Sequence, residues 1–190
     1  MSARPQRLRV RAHAATARAS ALVFGDDGPA LALTSAPVAP RPGRLALCGP
    51  EPACAQSAEA EGWAVQVSAQ LRGPDAGSWT GLTLADVGAV DPTGLARWLA
   101  DPDARPHGGE TLSELVLRVG DLLQHPSAGD ADLGDGPQLW VAAPLTVRAL
   151  VVAALGAPPA VLFGVDVGFG GEVQLSGGGR TWRLQALRRG

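Results

Sequence analysis

Lysine is absent from this sequence, and cysteines, aromatic residues and long apolar runs are few. The two cysteines, Cys48 and Cys54, have no second pair and no clustered histidines, so they do not predict a zinc site. We interpret both as small buried apolar residues and expect no structural disulfide. No run approaches the roughly 18 to 20 uncharged apolar residues of a membrane span, and residues 1–15 lack a signal-peptide core. We therefore expect a cytoplasmic protein that does not contact a membrane.

Neither sign of charge predominates, since 16 basic residues and 18 acidic residues give a net charge of −2. All 16 basic residues are arginine. Basic residues cluster only at the start and at Arg188-Arg189, so nucleic acid is not an expected partner, because duplex binding needs a basic face. The abundant Ala, Gly and Pro are typical of a GC-rich bacterial genome. A chain of 190 residues with 46% hydrophobic content predicts a single domain over residues 1–190.

A short alternating run ends at the first histidine. Leu8 and Val10 alternate with Arg9 and Arg11, which predicts a strand, and the small residues after His13 predict the start of a helix. Open α/β sheets bind their ligands at the carboxyl ends of strands. His13 is therefore the first candidate functional residue, although a lone histidine there is more often structural.

The remaining pattern predicts an α/β fold. Strands are expected at 45–48, 63–67 and 139–143, and helices at 53–61, 92–99, 112–123 and 145–155, with a capping box from Thr111 to Glu114. Residues 34–43, 71–81 and 130–138 are predicted loops or linkers. The end of the chain predicts β structure at 161–167, 172–175 and 181–187, joined by glycine-rich turns. This order predicts a three-layer α/β/α sandwich with a mixed, mostly parallel sheet.

Several motifs together resemble one known family. They are the strand that ends at His13, Leu71-Arg72 followed by Gly77-Ser78-Trp79-Thr80-Gly81, and Trp98 to Pro102 leading to residues 106–111. From about Leu8 to Leu187 the chain resembles the histidine phosphatase superfamily, which has the phosphoglycerate mutase-like fold. The resemblance implies a histidine that becomes transiently phosphorylated. It also implies two arginines and a second histidine that hold the phosphoryl group, and an acid that protonates the leaving oxygen.

In this chain, the resemblance places His13 at the nucleophile position. The two arginines fall on Ala12 and Ala53, the acid on Gly73 and the second histidine on Ala143. Loss of one preorganised donor typically costs on the order of 3 kcal/mol of barrier, or ~100-fold in rate. The sequence therefore predicts a degenerate member in which phosphoryl transfer is badly impaired.

Four side chains are weighed as local replacements for the missing groups. Arg11 would serve only if a bulge turned it to the face of Ala12, because strand alternation points it away. Arg18 would reach the pocket from the first helix or lie on the surface, and Arg72 is a further candidate donor. Asp75 would swing into the acid position or cap a turn of its loop.

Other polar and aromatic residues are given simpler roles. Thr16 and Trp79 are candidate ligand-binding residues, and Trp79 is equally compatible with loop packing. Glu110 and Thr111 are interpreted as helix-start residues. His107 and His125 are expected to face solvent.

Three functions follow from this sequence. The favoured hypothesis is a neutralised pocket around His13 that binds or transforms a small organic molecule, for example as a biosynthetic tailoring enzyme with His13 as acid or base. The alternative is a pseudoenzyme that acts as an interaction or structural protein. The third is a residual phosphomonoesterase that works through phosphohistidine at His13. No metal or cofactor is expected, and the apolar 145–165 region is compatible with a homodimer and equally with a buried core helix.

Overall fold

A single mixed sheet organises the protein. The computed structural model describes residues 6–31, 38–41, 43–125, 138–178 and 180–190. Its strands, in chain order, are β1 (Gln6–Ala12), β2 (Leu45–Cys48), β3 (Ala64–Val67), β4 (Gln138–Ala142), β5 (Glu172–Gly178) and β6 (Thr181–Arg188). They lie in the order β3-β2-β4-β1-β5-β6. The first four in this order are parallel, and β5 and β6 form an antiparallel hairpin beside β1. This confirms the predicted fold class.

Helices cover both faces of the sheet. In chain order they are α1 (Pro52–Glu59), α2 (Leu84–Val90), α3 (Pro92–Ala100), α4 (Leu112–Gln124) and α5 (Pro144–Leu155). Helix α1 packs on one face against Leu139 and Val141 of β4. Helices α4 and α5 pack on the other face against Trp140 and Ala142 of the same strand. Strand β4 is buried along its whole length because helices lie on both sides of it.

Alternation in β1 works as predicted. Leu8, Val10 and Ala12 are buried on the α5 face, and Arg9 and Arg11 lie on the opposite face. No bulge interrupts the pairing of β1 with β4. A strand of this pattern presents one apolar and one polar face, and the apolar face enters the larger core.

The helix boundaries follow from local capping. The Thr111 hydroxyl and the Glu114 carboxylate form the predicted reciprocal capping box at the start of α4. Asp91 accepts a hydrogen bond of 2.8 Å from the Gly94 amide and begins α3. Helix α2 was not predicted, although Thr83 and Asp86 form a capping box of the same kind.

Two secondary-structure predictions are wrong. The segment after His13 forms only a 3-10 turn at Ala19–Ala21, because the Thr16 hydroxyl donates to Asp26 and Thr16 pairs with Ala30 in an isolated bridge. These contacts fold the segment back on itself and override its alanine-rich helix propensity. Residues 161–167 are not a strand, since Pro159–Gly164 forms a 3-10 helix that buries Leu162.

Parts of two other predictions lie outside the described residues, namely 34–37 and 42 of the first loop and 130–137 of the linker. Helix α5 is a buried core helix, which accounts for the apolar character of its sequence, and the homodimer remains a prediction. None of the helices in the described part is long and apolar enough to cross a membrane.

Both cysteines are free and buried, as predicted. Burial raises the pKa of the Cys48 thiol to about 12, and burial raises the pKa of Cys54 still further, with the Glu51 carboxylate adding to that shift. Among the described residues, no group of three or more His, Cys, Asp or Glu side chains could hold a metal ion.

Candidate functional site

The carboxyl ends of β1, β2 and β4 meet at one edge of the sheet. The His13 amide donates to the Ala142 carbonyl at 3.0 Å, and the Gly49 amide donates to the Val141 carbonyl at 2.8 Å. His13, Gly49 and Ala143 therefore follow three adjacent parallel strands at the edge where such sheets bind ligands.

The His13 ring is held by one nitrogen and open at the other. The residue is only 2% exposed, and Nδ1 lies 2.8 Å from the Ala14 carbonyl oxygen. Because a carbonyl only accepts, Nδ1 carries the proton in the neutral ring and Nε2 carries the lone pair. Nε2 has no hydrogen bond to the described residues and is not sealed from solvent. The ring is therefore oriented to act as a base, a nucleophile or a hydrogen-bond acceptor.

A glycine-rich loop places an aromatic ring against His13. The Phe169 ring centroid lies 5.4 Å from that of His13, with 55° between the ring planes. The Gly170 amide donates to the His13 carbonyl at 3.0 Å. Arg148 of α5 holds the same loop, since its Nε donates to the Val167 carbonyl at 2.9 Å.

Ser57 connects the residue after His13 to α1. Its hydroxyl donates to the Ala53 carbonyl at 2.6 Å and accepts from the Ala14 amide at 2.9 Å. Both functions of a buried hydroxyl are therefore used, and they fix the His13 segment to the helix that follows β2.

Glu51, just before α1, directs its carboxylate toward the positions where the resemblance placed an acid and a second histidine. Its Oε1 accepts a hydrogen bond of 2.5 Å from the Gly73 amide. A Cβ added at Gly73 would lie 3.3 Å from Oε1 and 3.8 Å from the Cβ of Ala143. We refer to His13, Glu51, Gly73, Ala143 and Phe169 as the strand-end site.

A partly buried ion pair positions the loop that carries Gly73. Arg118 of α4 forms two hydrogen bonds of 2.7 Å with the two carboxylate oxygens of Glu110. The same guanidinium donates to the Gln70 carbonyl at 2.6 Å and to the Arg72 carbonyl at 3.3 Å, and the Thr146 hydroxyl donates to the Arg72 carbonyl at 3.0 Å. We refer to these five residues as the loop clamp. Glu110 thus serves the clamp, while Thr111 begins α4 as predicted.

The structure does not bring three of the predicted site residues to His13. Arg11 forms an ion pair with Glu61 on the α1 face of the sheet, as strand alternation predicts. Thr16 is buried and bonded to Asp26. Arg18 is exposed and donates to the Gly81 carbonyl at 2.9 Å. Within the part of the chain described, none of these side chains forms a hydrogen bond or an ion pair with His13.

The three predicted residues of the 71–81 loop have structural partners. Arg72 is 41% exposed and lies 3.5 Å from Glu110. Asp75 accepts from the Gly77 amide at 2.9 Å, which is the turn-capping alternative. Trp79 is 4% exposed and packs in an aromatic cluster with three other rings, those of Phe24, Trp98 and His107. Trp79 therefore matches the loop-packing alternative.

The expectation that His107 faces solvent is wrong. His107 is 4% exposed, and its Nδ1 accepts from the Gly109 amide at 2.9 Å. Burial lowers the pKa of the imidazole, and the nearby charge of Asp75 partly opposes this shift. The His107 ring packs against the rings of Trp79 and Trp98, so His107 is a core residue. His125 is exposed, as expected, and lies 3.2 Å from Asp121.

Sequence reasoning missed Glu51, Ser57 and Phe169. The available signals were a glutamate directly before a helix-starting proline and a phenylalanine within a glycine cluster. Neither signal identifies a site by itself, because the contacts join segments far apart in the chain.

Comparisons with known proteins agree with this architecture. The sequence pattern of the histidine phosphatase superfamily (branch 1) matches residues 41–189. Glucosyl-3-phosphoglycerate phosphatase of Mycobacterium tuberculosis is 36% identical over 107 residues, which are 54% of this chain and 48% of that protein. The enzyme of the same name from Mycolicibacterium vanbaalenii is 32% identical over 101 residues, 51% of this chain and 45% of that protein. The match thus spans about half the length of these curated relatives.

Solved structures extend the likeness over almost the whole chain. A mycobacterial glucosyl-3-phosphoglycerate phosphatase in complex with VO3 superposes with a TM-score of 0.76 at 25% identity, and the match covers 97% of this chain and 100% of that one. A putative alpha-ribazole-5'-P phosphatase from Escherichia coli gives 0.74 at 17% identity over 96% of both chains, which supports the fold alone. With the family pattern matched over most of its length, the chain belongs to the histidine phosphatase superfamily.

Proposed function

We propose that this protein binds a small organic molecule without a phosphate group at the strand-end site, with His13 as an acid–base group. The observation that carries the proposal is the Glu51 carboxylate, which lies against Gly73 and beside Ala143. These positions correspond to the acid and the second histidine of the family resemblance. A negative charge therefore stands where a phosphate site would supply a proton or a cation.

Electrostatics favours this assignment over phosphate binding. Two unit charges of like sign about 5 Å apart repel by about 3 kcal/mol at an effective dielectric constant of about 20, and a phosphate dianion carries two charges. The arginines considered as replacements have other partners or lie in solvent. Ala12 and Ala53 are buried in the core, and the partly exposed Ala143 and Phe169 leave apolar surface at this edge, which suits the carbon skeleton of an organic ligand.

A second candidate function is phosphomonoester hydrolysis through His13. The open Nε2 supports it, because a lone pair there is what a phosphoryl acceptor needs. The names of the relatives also support it, since they are called phosphatases.

Two measurements distinguish these functions. The first incubates the protein with 4-nitrophenyl phosphate and with vanadate, and we expect neither turnover nor a vanadate-dependent shift of the His13 ring resonances. Hydrolysis that disappears in His13→Ala, together with acid-labile phosphohistidine, would overturn the proposal and establish the second function.

The second measurement screens phosphate-free fragments by saturation-transfer NMR. We expect binders that are lost in His13→Ala and in Ala143→Leu, which adds a larger side chain next to Gly73. Ala96→Leu on the exposed side of α3 is the matched control and should bind as the wild type does. A screen without any His13-dependent binder would reject the proposal in favour of an interaction or structural role.

A further inference from the structure

Glu51 is held in place by groups that leave its charge unbalanced. Oε1 accepts from the Gly73 amide, and the Cys54 thiol donates weakly toward Oε2 at 3.6 Å. The side chain does not cap α1, although the residue stands at the capping position. In the described chain, Glu51 has no ion pair with an arginine or a histidine. A carboxylate accepts up to about four hydrogen bonds, so acceptor positions remain free.

Two glycines make the space that this carboxylate fills. A Cβ at Gly49 would lie closer to Oε2 than real Cβ contacts occur, and a Cβ at Gly73 would lie 3.3 Å from Oε1. The Gly49 Cβ would also lie 2.7 Å from the Leu71 carbonyl oxygen. The carboxylate is thus fixed in a slot between two loops by backbone geometry, as preorganised binding groups are.

His13 provides an independent observation at the same edge. The residue is only 2% exposed, and Nε2 of its polar ring has no partner among the residues described. In the neutral ring, Nε2 is an acceptor. The strand-end site therefore offers two open acceptors from two separate elements, a carboxylate and an imidazole nitrogen.

We infer that the strand-end site selects a ligand with a protonated amino group, which Glu51 binds by charge and hydrogen bonds. This inference rests on the proposed function and names the ligand class. An ammonium group fits because it supplies three donors and the opposite charge, whereas a hydroxyl supplies one donor and a phosphate supplies like charge. The remaining carbon skeleton lies against the partly exposed Ala143 and Phe169.

The test uses benzylamine, benzyl alcohol and benzyl phosphate, which share one ring and differ in the terminal group. Isothermal titration at pH 7 should give benzylamine an affinity about tenfold tighter than benzyl alcohol, as a charge-assisted hydrogen bond provides, and benzyl phosphate should bind weakest. In Glu51→Gln, an oxygen still accepts from Gly73 but the charge is gone. This variant should lose the preference for the amine.

Glu59→Gln is the matched control, because Glu59 is an exposed glutamate at the other end of α1. It should retain the wild-type preference. An amine that binds no tighter than the alcohol, or an unchanged preference in Glu51→Gln, overturns the inference. The proposed function survives that result when benzyl alcohol or another neutral fragment still binds in a His13-dependent way, and it fails only when no fragment does.

Discussion

The loop clamp and the strand-end site meet at the loop that carries Gly73. They differ in how completely their polar side chains are hydrogen-bonded. In the clamp, both oxygens of Glu110 and all three guanidinium nitrogens of Arg118 have partners. In the strand-end site, Nε2 of His13 has no partner in the described chain, and the Glu51 carboxylate has no ion pair there. Polar groups that only position the backbone are saturated, because an unsatisfied buried group is costly. Groups left open are the ones available to a ligand.

The largest effect should come from breaking the clamp. Glu110→Ala leaves the Arg118 guanidinium, whose side chain is only 14% exposed, without its charged partner. Removal of one partner of a fully buried pair costs about 3 to 5 kcal/mol, and for this partly buried pair we expect a loss of about 2 to 3 kcal/mol of unfolding free energy. Urea denaturation measures this loss. Arg105→Ala is the control, because both partners of the Arg105–Glu114 pair are about half exposed and the expected cost is below about 1 kcal/mol. Equal losses in the two variants would show that the clamp is not a structural anchor.

A smaller loss should follow next to the strand-end site, where Ser57 holds the residue after His13. Ser57→Ala removes the acceptor of the Ala14 amide, and an unsatisfied partly buried donor costs about 1 to 2 kcal/mol. Thermal and urea unfolding both report it. Ser78→Ala removes an exposed hydroxyl that donates to the His107 carbonyl, but that carbonyl still accepts from the Ser78 amide, so stability should change by less than about 0.5 kcal/mol. If Ser57→Ala lowers the unfolding free energy no more than Ser78→Ala does, the hydrogen bonds of Ser57 do not contribute to the stability of the protein.

His107 in the aromatic cluster should make the stability of the protein depend on pH. Because the pKa of His107 is lower in the folded protein than in the unfolded chain, the unfolded chain binds more protons below about pH 6.5. Stability should therefore be full above pH 6.5 and fall as the pH drops toward the folded pKa, by at most about 1.4 kcal/mol per pH unit for one proton.

Denaturation between pH 5 and 7 separates this contribution from that of the carboxyl groups with lowered pKa, which act at lower pH. His107→Asn should flatten the profile in this range, and His125→Asn, at an exposed site, should leave it as it is. A profile that is unchanged in His107→Asn would refute the assignment.

The smallest effect should be local to the loop over His13. Arg148→Ala removes the hydrogen bond to the Val167 carbonyl and should cost about 1 kcal/mol. The sharper signal is the proton shift of the His13 ring, which depends on the position of the Phe169 ring beside it. Arg97→Ala, on the exposed side of α3, should leave this resonance in place. If the His13 resonance does not move in Arg148→Ala, Arg148 does not position the loop that carries Phe169.

The fold was predictable where local signals agree with tertiary packing. Alternation in β1, the Asp91-Pro92 start of α3 and the Thr111 capping box each specify structure within one short segment. The prediction failed after His13, where the Thr16–Asp26 hydrogen bond outweighs helix propensity. Thr83 and Asp86 have the spacing of a capping box, so the start of helix α2 was also predictable from the sequence.

The site was predictable only in part. His13 follows a strand and can be found from its neighbours, but Glu51 reaches Gly73 across 22 residues of sequence. Nothing near Glu51 in the chain indicates that contact, because it depends on how β2 and the loop after β3 meet. The same reason hides Phe169, which reaches His13 through the return of the chain toward β5.

The slot around Glu51 also constrains how this chain can change. An acidic side chain introduced at Gly73 would begin 3.3 Å from the Glu51 carboxylate and would place two like charges close together. Any side chain at Gly49 meets the same carboxylate. Substitutions at these three positions are therefore not independent, and their order matters. An acid at position 73 would therefore be accommodated more readily once Glu51 is replaced, so the effect of a substitution at Gly73 depends on the residue at position 51.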